Sequence, residues 1–436
     1  MDKLQKKITL FGLTMIAVGS CIGAGIFVTP AVVAQAIPNQ FWIIMVWVCG
    51  GVIAFTGALS LAELGSMFPK AGGVYVFLRE TYGEIFGFLY GWIILLAVNT
   101  GALAALSMAF SDYLVFFFPL LEAYKLYISI ILIALLSMVN CLGVNISQLF
   151  SNVFTVLKLS AMILIVLFSF SYLLGDQPSP EWQGALSFDG HLISAFFLAL
   201  IGVLWSFGGW HHASYLASET VNPTINVPKA MILGALIVTI VYILINCAYM
   251  IFLPLEEMAA SGRVAGDAVS QYMEMGGKLV SGIVLISIFG TISIYSMSAP
   301  RVYYAMAKDG VFLQSLSKVH ARFNTPVNAI MLQGIWAIII IIAGKTFKSI
   351  ITYATFMDVA FMALAAVAVL VLRVRKPELE RPFKVPLYPI IPLIFISITS
   401  VFILNTLIFQ PFESFAGIGL TLLGIPIYLL FKKYKW

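Results

Sequence analysis

Apolar residues run in blocks of about 20 or more along the whole chain, each long enough to cross a bilayer, and polar residues collect between the blocks. The pattern predicts twelve helices, over 9–36, 40–68, 85–118, 125–146, 150–174, 190–218, 229–253, 278–307, 325–343, 347–373, 386–408 and 413–432. Clusters of turn residues and charges mark the breaks: IPNQ, FPKAGG, GDQPSPEWQG, VNPTINVP and RKPELERPFKVPLYP. The longest connections, about 254–277 and 308–324, are too short for a separate soluble domain. The expected fold class is therefore all-α and polytopic, a single transmembrane domain over 1–436.

Two of the predicted spans contain poor helix chemistry at mid-membrane. Helix 1 carries GSCIGAGIF at residues 19–27, and helix 6 carries WSFGGW at 205–210. Glycine loses the most backbone freedom on ordering, and free backbone groups at membrane depth are tolerated only where they line a cavity or meet a ligand. Helix 6 comes five helices after helix 1, an odd step, so the two run in opposite directions. That is the pattern of an inverted repeat, with 9–174 as the first five-helix unit, 190–373 as the second, and 386–432 as helices 11 and 12. A broken helix offers N–H groups at one end, suited to a carboxylate, and C=O groups at the other, suited to an ammonium. Two facing breaks fit the two charges of a zwitterionic α-amino acid. Isolated glycines in membrane helices often serve only close packing; clustering in both breaks favours the ligand reading.

Composition agrees with the membrane assignment: 61% of 436 residues are hydrophobic and 10% charged, against roughly 25% charged in soluble domains. The net charge of +5 is a matter of topology and does not point to nucleic acid. With the N-terminus inside, every lysine and arginine lies on the cytoplasmic side except Lys125, Arg263, Lys278, Lys345, Lys348 and the intramembrane Lys158. Both termini are expected in the cytoplasm, in a multi-pass cell (inner) membrane protein. The basic start MDKLQKKITL precedes an apolar run too long for a signal peptide, so it reads as an uncleaved first span. Cys21, Cys49, Cys141 and Cys247 all fall in apolar segments with no disulfide or metal spacing.

Five motifs in order resemble the amino acid–polyamine–organocation (APC) superfamily, in its L-amino acid transporter, light-chain-like branch and as found in prokaryotes. They are GSCIGAGIFVTP, AELGSMFPKAGGVYVFLRETYG, WSFGGWHHASYLASETVNPTINVPKA, PRVYYAMAKDG and RKPELERPFKVPLYP. The resemblance implies the leucine-transporter (LeuT) fold, twelve helices with a 5+5 inverted repeat, and alternating access, usually as an amino-acid exchanger. It puts the substrate carboxylate on the amides of Gly23, Ala24 and Gly25, where Ala24 replaces a common serine, with Ser20 as a further contact. It puts the ammonium on carbonyls near Ser20, Cys21, Trp205, Ser206 and Gly208, with Trp205 closing over the substrate. Lys158 matches the helix-5 lysine that replaces sodium in sodium-independent relatives, facing carbonyls around Gly19 and a helix-8 hydroxyl, Thr291 first and Ser287 second.

Asp358 is less expected, because relatives carry a neutral polar residue at that helix-10 position. It either meets the substrate side chain or a proton, or it satisfies a buried hydrogen bond elsewhere. Glu63, Glu219, Arg301 and Asp309 read as gating or packing charges. Adjacent His211 and His212 point to different helix faces, which disfavours a metal, and no cofactor is implied. Enzymatic constellations are missing from the sequence: GAGIFVTP lacks a phosphate loop's GK[ST] ending. The loop FFFPLLEAYKLY between helices 3 and 4 has no cysteine for a disulfide-linked heavy chain. The expected protein is a sodium-independent exchanger of small or medium neutral L-amino acids such as alanine, serine, cysteine or threonine. The alternatives are a proton-coupled or cationic amino-acid/polyamine carrier, and a non-transporting amino-acid sensor.

Overall fold

The computed structural model describes residues 4–173, 190–344 and 347–434. The predicted break GDQPSPEWQG lies outside the described residues, as does Lys345. Among the described residues, 11 helices are long and apolar enough to cross a membrane, and a further apolar helix, Val327–Ile342, is shorter. These twelve correspond one for one with the twelve predicted spans. The outer surface of helices 4, 5, 11 and 12 exposes large apolar side chains such as Ile131, Leu167, Ile408 and Phe412, while Lys158, Glu219 and Arg301 are fully buried. An apolar coat around a polar interior is the arrangement a bilayer solvent requires.

Helix 1 has two halves, 1a (Leu10–Cys21) and 1b (Gly25–Ala36). The Thr9 hydroxyl accepts from the Gly12 amide and caps the start. Helix 6 departs from the expected 190–218: it runs over Gly190–Phe207, turns, and resumes only as His212–Tyr215 and a 3-10 turn at Ala217–Glu219. Gly209 adopts φ 121°, outside the helical region, so the helix cannot continue through it. Helix 7 begins at Pro223 rather than 229, because proline's missing N–H costs nothing at the first helical position. Helices 4 (Lys125–Cys141) and 5 (Val144–Leu173) meet at Gly143, φ 128°, some residues before the expected boundary.

Three further elements escaped the hydrophobic pattern. The segment after helix 2 (Gln40–Met67) forms a short amphipathic helix, Val74–Tyr82. The connection expected over 254–277 holds the helices Leu255–Ala260 and Val264–Tyr272. Helix 3 (Glu84–Phe117) contains a π-helical turn at Ile94–Val98. Helix 8 (Gly276–Ser298) passes into Pro300–Lys308, and helix 10 spans Phe347–Arg375.

Helix 2 packs along helix 7, helix 1a is wedged among helices 5, 7 and 8, and helix 1b lies on the first half of helix 6. An even number of spans leaves both termini on one face, the terminal face. That face is closed by charge pairs and by backbone. The Lys7 and Ile8 amides donate to the Glu219 carbonyl at 2.8 and 2.9 Å, and the Val221 amide donates to the Ile8 carbonyl at 2.9 Å. Arg301 donates to both Glu219 carboxylate oxygens at 2.8 and 2.9 Å, with neither side chain exposed by more than 1%. Glu63 accepts from Arg373 at 2.6 and 2.9 Å and from the Val385 amide at 2.8 Å, joining helices 2 and 10 to the segment before helix 11. Arg79 and Tyr75 both donate to Asp309.

A buried ion pair costs much to break and little to replace whole. Arg301→Met alone is expected to destabilise the protein by about 3–5 kcal/mol, seen as a lower unfolding midpoint of the purified protein in detergent. The double variant Glu219→Leu/Arg301→Met should recover most of that loss; a double variant no better than the single one would show that the pair holds the fold in a way apolar packing cannot.

Candidate substrate site at the two helix breaks

The break in helix 1 releases carbonyl groups at the end of 1a and amides at the start of 1b. The carbonyl side is answered by side chains from helices 5 and 8. Lys158, fully buried, donates from Nζ to the Gly19 carbonyl at 2.8 Å, the Ile22 carbonyl at 2.5 Å and Thr291 Oγ1 at 3.0 Å. An ammonium has three protons, and these three contacts use them all. The Thr291 hydroxyl lies 3.0 and 2.8 Å from the same two carbonyls. Ser287 does not meet Lys158; its hydroxyl donates to the Ile22 and Gly23 carbonyls at 3.1 and 3.3 Å. The fit is tight: a Cβ on Gly19 would stand 2.2 Å from Thr155 Oγ1.

The amide side is different. Helix 1b starts at Gly25 with Ala24 at its cap position, and Phe27 and Val28 already donate to the Ala24 carbonyl. The amides of Ala24, Gly25 and Ile26 precede the first intrahelical bond and keep their donors free. Here the positive end of a half-helix faces inward while its carbonyl counterpart is neutralised. Gly23 differs from its neighbours, since its amide donates to the Cys21 carbonyl at 2.9 Å.

Helices 1 and 6 touch at their breaks. Ser20 is turned away from the 1b amides; its hydroxyl lies 2.8 Å from the Gly209 carbonyl and 2.8 and 2.9 Å from those of Ile16 and Ala17. Cys21 Sγ donates to the Phe207 carbonyl at 3.2 Å. Ser206 bonds back to the Gly202 carbonyl and sits 3.1 Å from Thr29 of helix 1b. A Cβ on Gly25 would come within 2.5 Å of Ser206 Oγ, which is why this position takes only glycine without a shift. Tyr242 of helix 7 was not apparent from sequence; its hydroxyl reaches the Cys21 and Ser206 carbonyls at 2.9 and 3.0 Å and so spans both breaks. The Trp205 carbonyl accepts from the Gly208 amide at 3.1 Å. A carbonyl has two lone pairs, so these groups still have capacity for an ammonium.

A small cavity of about 40 Å3 lies against the helix-6 break, lined among others by Asn99, Trp205, Gly208, His211, Thr355 and Asp358. Asn99 Nδ2, Thr355 Oγ1 and Asp358 Oδ1 are buried and have no hydrogen-bond partner. Each buried polar atom left unpaired costs about 1–3 kcal/mol, so three residues carrying one at a single cavity make it a candidate ligand site. His211 Nε2 stands 3.9 Å from Asp358, and its neighbour His212 instead meets Ser298 Oγ at 2.7 Å. The two histidines thus face different partners, and no group of three or more metal-type side chains occurs among the described residues. Asn99 follows the π-helical turn of helix 3, a distortion that re-aims side chains at functional sites. An isolated asparagine in an apolar helix was the only signal for it in the sequence.

The chain matches the family profile described as "Amino acid permease" over residues 8–431. The chain belongs to the amino acid permease family. Its architecture is that of the APC superfamily and the LeuT fold. The permease is 32% identical to the "Serine/threonine exchanger SteT" of Bacillus subtilis (strain 168), over 99% of this chain and 98% of that protein. It is 33% identical to the human "b(0,+)-type amino acid transporter 1", over 99% of this chain and 89% of the relative. It is 31% identical to the human "Cystine/glutamate transporter", over 100% of this chain and 87% of the relative.

Lys158 is the buried basic side chain at the permease's helix-1 break. Hydrogen bonds from a charged donor are worth about 1.5–3 kcal/mol each. Lys158→Ala is expected to lower substrate flux in proteoliposomes at least about tenfold; wild-type flux in this variant would remove Lys158 from the machinery.

Proposed function

We propose that this permease is a sodium-independent exchanger of small, polar or neutral L-amino acids, working by alternating access between two five-helix units, 9–174 and 190–373. The observation that carries this reading is that a break with free amides at helix 1b touches a second break, in helix 6, which borders a cavity lined by Asn99, Thr355 and Asp358. The substrate carboxylate would take the amides of Ala24, Gly25 and Ile26, and its ammonium the carbonyls at the end of 1a and beside Trp205. Its side chain would extend toward Asn99, Thr355 and Asp358, which offer two donors and an acceptor. A hydroxyl both donates and accepts, so serine and threonine suit this cavity better than a plain alkyl chain. The serine/threonine exchanger matched across nearly its full length supports the same substrate class.

Sodium independence rests on Lys158. Its ammonium already supplies a positive charge to the Gly19 and Ile22 carbonyls, leaving no need for a metal cation there. The cavity of about 40 Å3 is far below the roughly 300–1,000 Å3 usual for small-molecule sites. Substrate entry therefore requires an opening, and the pairs on the terminal face assign that opening to the other side. With basic residues concentrated on the terminal face, we place both termini in the cytoplasm of a cell-membrane protein. The helix 3–4 connection, Pro119–Tyr124, has no cysteine, which supports action without a disulfide-linked heavy chain.

A second reading has its own observation. Asp358 Oδ1, which lacks a hydrogen-bond partner and stands 3.9 Å from His211 Nε2, can accept from a cationic side chain or carry a proton, as intramembrane carboxylates in carriers do.

Uptake into proteoliposomes separates these readings. Labelled serine is expected to enter only vesicles preloaded with amino acid, equally in sodium and in choline buffers. Uptake into empty vesicles driven by a proton gradient would favour the second reading, and binding without flux would favour a sensor. Asp358→Asn keeps an acceptor but removes the charge. Neutral exchange should survive in this variant within about tenfold, with selectivity between serine and alanine reduced; unchanged selectivity would take Asp358 out of substrate recognition.

A further inference from the structure

A cavity of about 500 Å3 opens on the terminal face, away from the helix breaks. One wall is the N-terminal segment with Lys6, together with Ser218 beyond the helix-6 break. The opposite wall is Arg79 of the Val74–Tyr82 helix and Lys308 of the Pro300–Lys308 helix, and Lys70 borders both. The walls belong to different groups of helices. The N-terminal segment is tied by backbone bonds to residues 219–221, whereas the Arg79 side is tied to Asp309. The cavity therefore straddles the seam that closes this face.

The charges around it are unbalanced. Asp309 is engaged by Arg79 and Tyr75. Glu80 accepts from Arg79 at 2.6 Å and stands 3.7 Å from Lys70. Burial works against the ionised form of Glu80, but the Arg79 hydrogen bond and the surrounding cations hold its carboxyl below the ordinary value. Both acids are thus answered chiefly by Arg79. Among the described residues, Lys6 and Lys308 pair with no carboxylate, and Lys70 pairs only loosely. Ser218 Oγ is buried there without a hydrogen-bond partner.

We propose that this cavity binds a phosphate-bearing anion that bridges the two walls and favours the state closed on the terminal face. Lysine ammonium groups are point-charge donors suited to phosphate oxygens, and a buried hydroxyl adds a directed donor. A di- or polyphosphate offers more oxygens, more widely spaced, than a single carboxylate, and so suits a lining with several lysines. The volume lies within the usual range of small-molecule sites, about 300–1,000 Å3, well above that of a chloride ion. The anion could be a soluble phosphate or the headgroup of an acidic lipid, since both present the same chemistry.

The test uses the full chain in phosphatidylcholine nanodiscs, titrated with inorganic pyrophosphate at constant ionic strength and followed by calorimetry and unfolding midpoint. Saturable binding and a raised midpoint are expected. Lys6→Ala/Lys308→Ala changes two exposed lysines outside the gate pairs, and should weaken binding about tenfold while keeping stabilisation by serine. Retained serine stabilisation shows that the variant folds, and it separates failure here from failure of the proposed transport function. If phosphatidylglycerol nanodiscs stabilise the wild type but not the double variant, and pyrophosphate competes with that effect, the source is a lipid headgroup. No saturable binding in either bilayer, or equal pyrophosphate affinity in the double variant, would overturn the proposal. Aspartate binding as tightly as pyrophosphate would overturn it too, by removing the phosphate from the recognition.

Discussion

The centre of this permease depends on how the carbonyl groups freed by the helix-1 break are satisfied. Breaking a helix at membrane depth leaves polar backbone with no water to turn to. Lys158, Thr291 and Ser287 supply the donors that the missing helical turn would have supplied. Because these side chains answer only the carbonyl end, the break becomes chemically one-sided. The amides of helix 1b keep their positive character uncancelled, and an anion entering there meets attraction without a competing negative pole. Lys158 therefore shapes the electrostatics of the free amides although it bonds only to the carbonyl end of the break.

The second break is organised by contact with the first. Ser20 and Cys21 reach the Gly209 and Phe207 carbonyls, and Tyr242 spans the Cys21 and Ser206 carbonyls. Glycines at 25 and 209 allow the approach; a Cβ at Gly209 would stand 2.8 Å from the Ser20 backbone. The two unwound segments share a polar seam bonded across its contact, and the helix-6 side of it borders the small cavity through Trp205, Gly208 and Gly209. That distribution separates a ligand site from a packing defect. Asn99, Thr355 and Asp358, each with a buried polar atom that lacks a hydrogen-bond partner, line one cavity.

Much of this architecture was legible in the sequence because hydrophobic run length and glycine clustering are strong local signals in a bilayer. The twelve spans, both breaks and the intramembrane Lys158 each violate or obey a rule readable from a short window. What was not legible came from two sources. The helix Val74–Tyr82 and the pair over 255–272 lie outside the apolar blocks, where amphipathic periods are too short to stand out. Tyr242, Asn99 and Thr355 sit in otherwise apolar helices, and whether such a residue faces lipid, core or cavity depends on helix rotation set by neighbours far along the chain. Ser20 shows the same limit. Its position beside the carboxylate site was readable, but its hydroxyl turns to helix 6, which only the approach of Gly209 explains.

The geometry also constrains how the molecule can move. Helix 1a is fastened to residues 219–221 by the pairing of Ile8 with Thr220, and to the helix-6 break by Ser20. Its other end is held by Lys158 and Thr291, which belong to helices 5 and 8. A tilt of helix 1a that carries residues 219–221 along must either break the lysine's hydrogen bonds or turn about them. The first course exposes a charged group and two carbonyls together, at several kcal/mol in a water-poor interior. The second costs only rotation of backbone torsions between the two half-helices, at residues 22–24, where Ile22 has already left the helical region with ψ 83°. The low-energy motion is thus a swing about the lysine tip, with the free amides of helix 1b close to the axis. A ligand held at those amides would be disturbed least while the terminal face opens, because the hinge at residues 22–24 adjoins them.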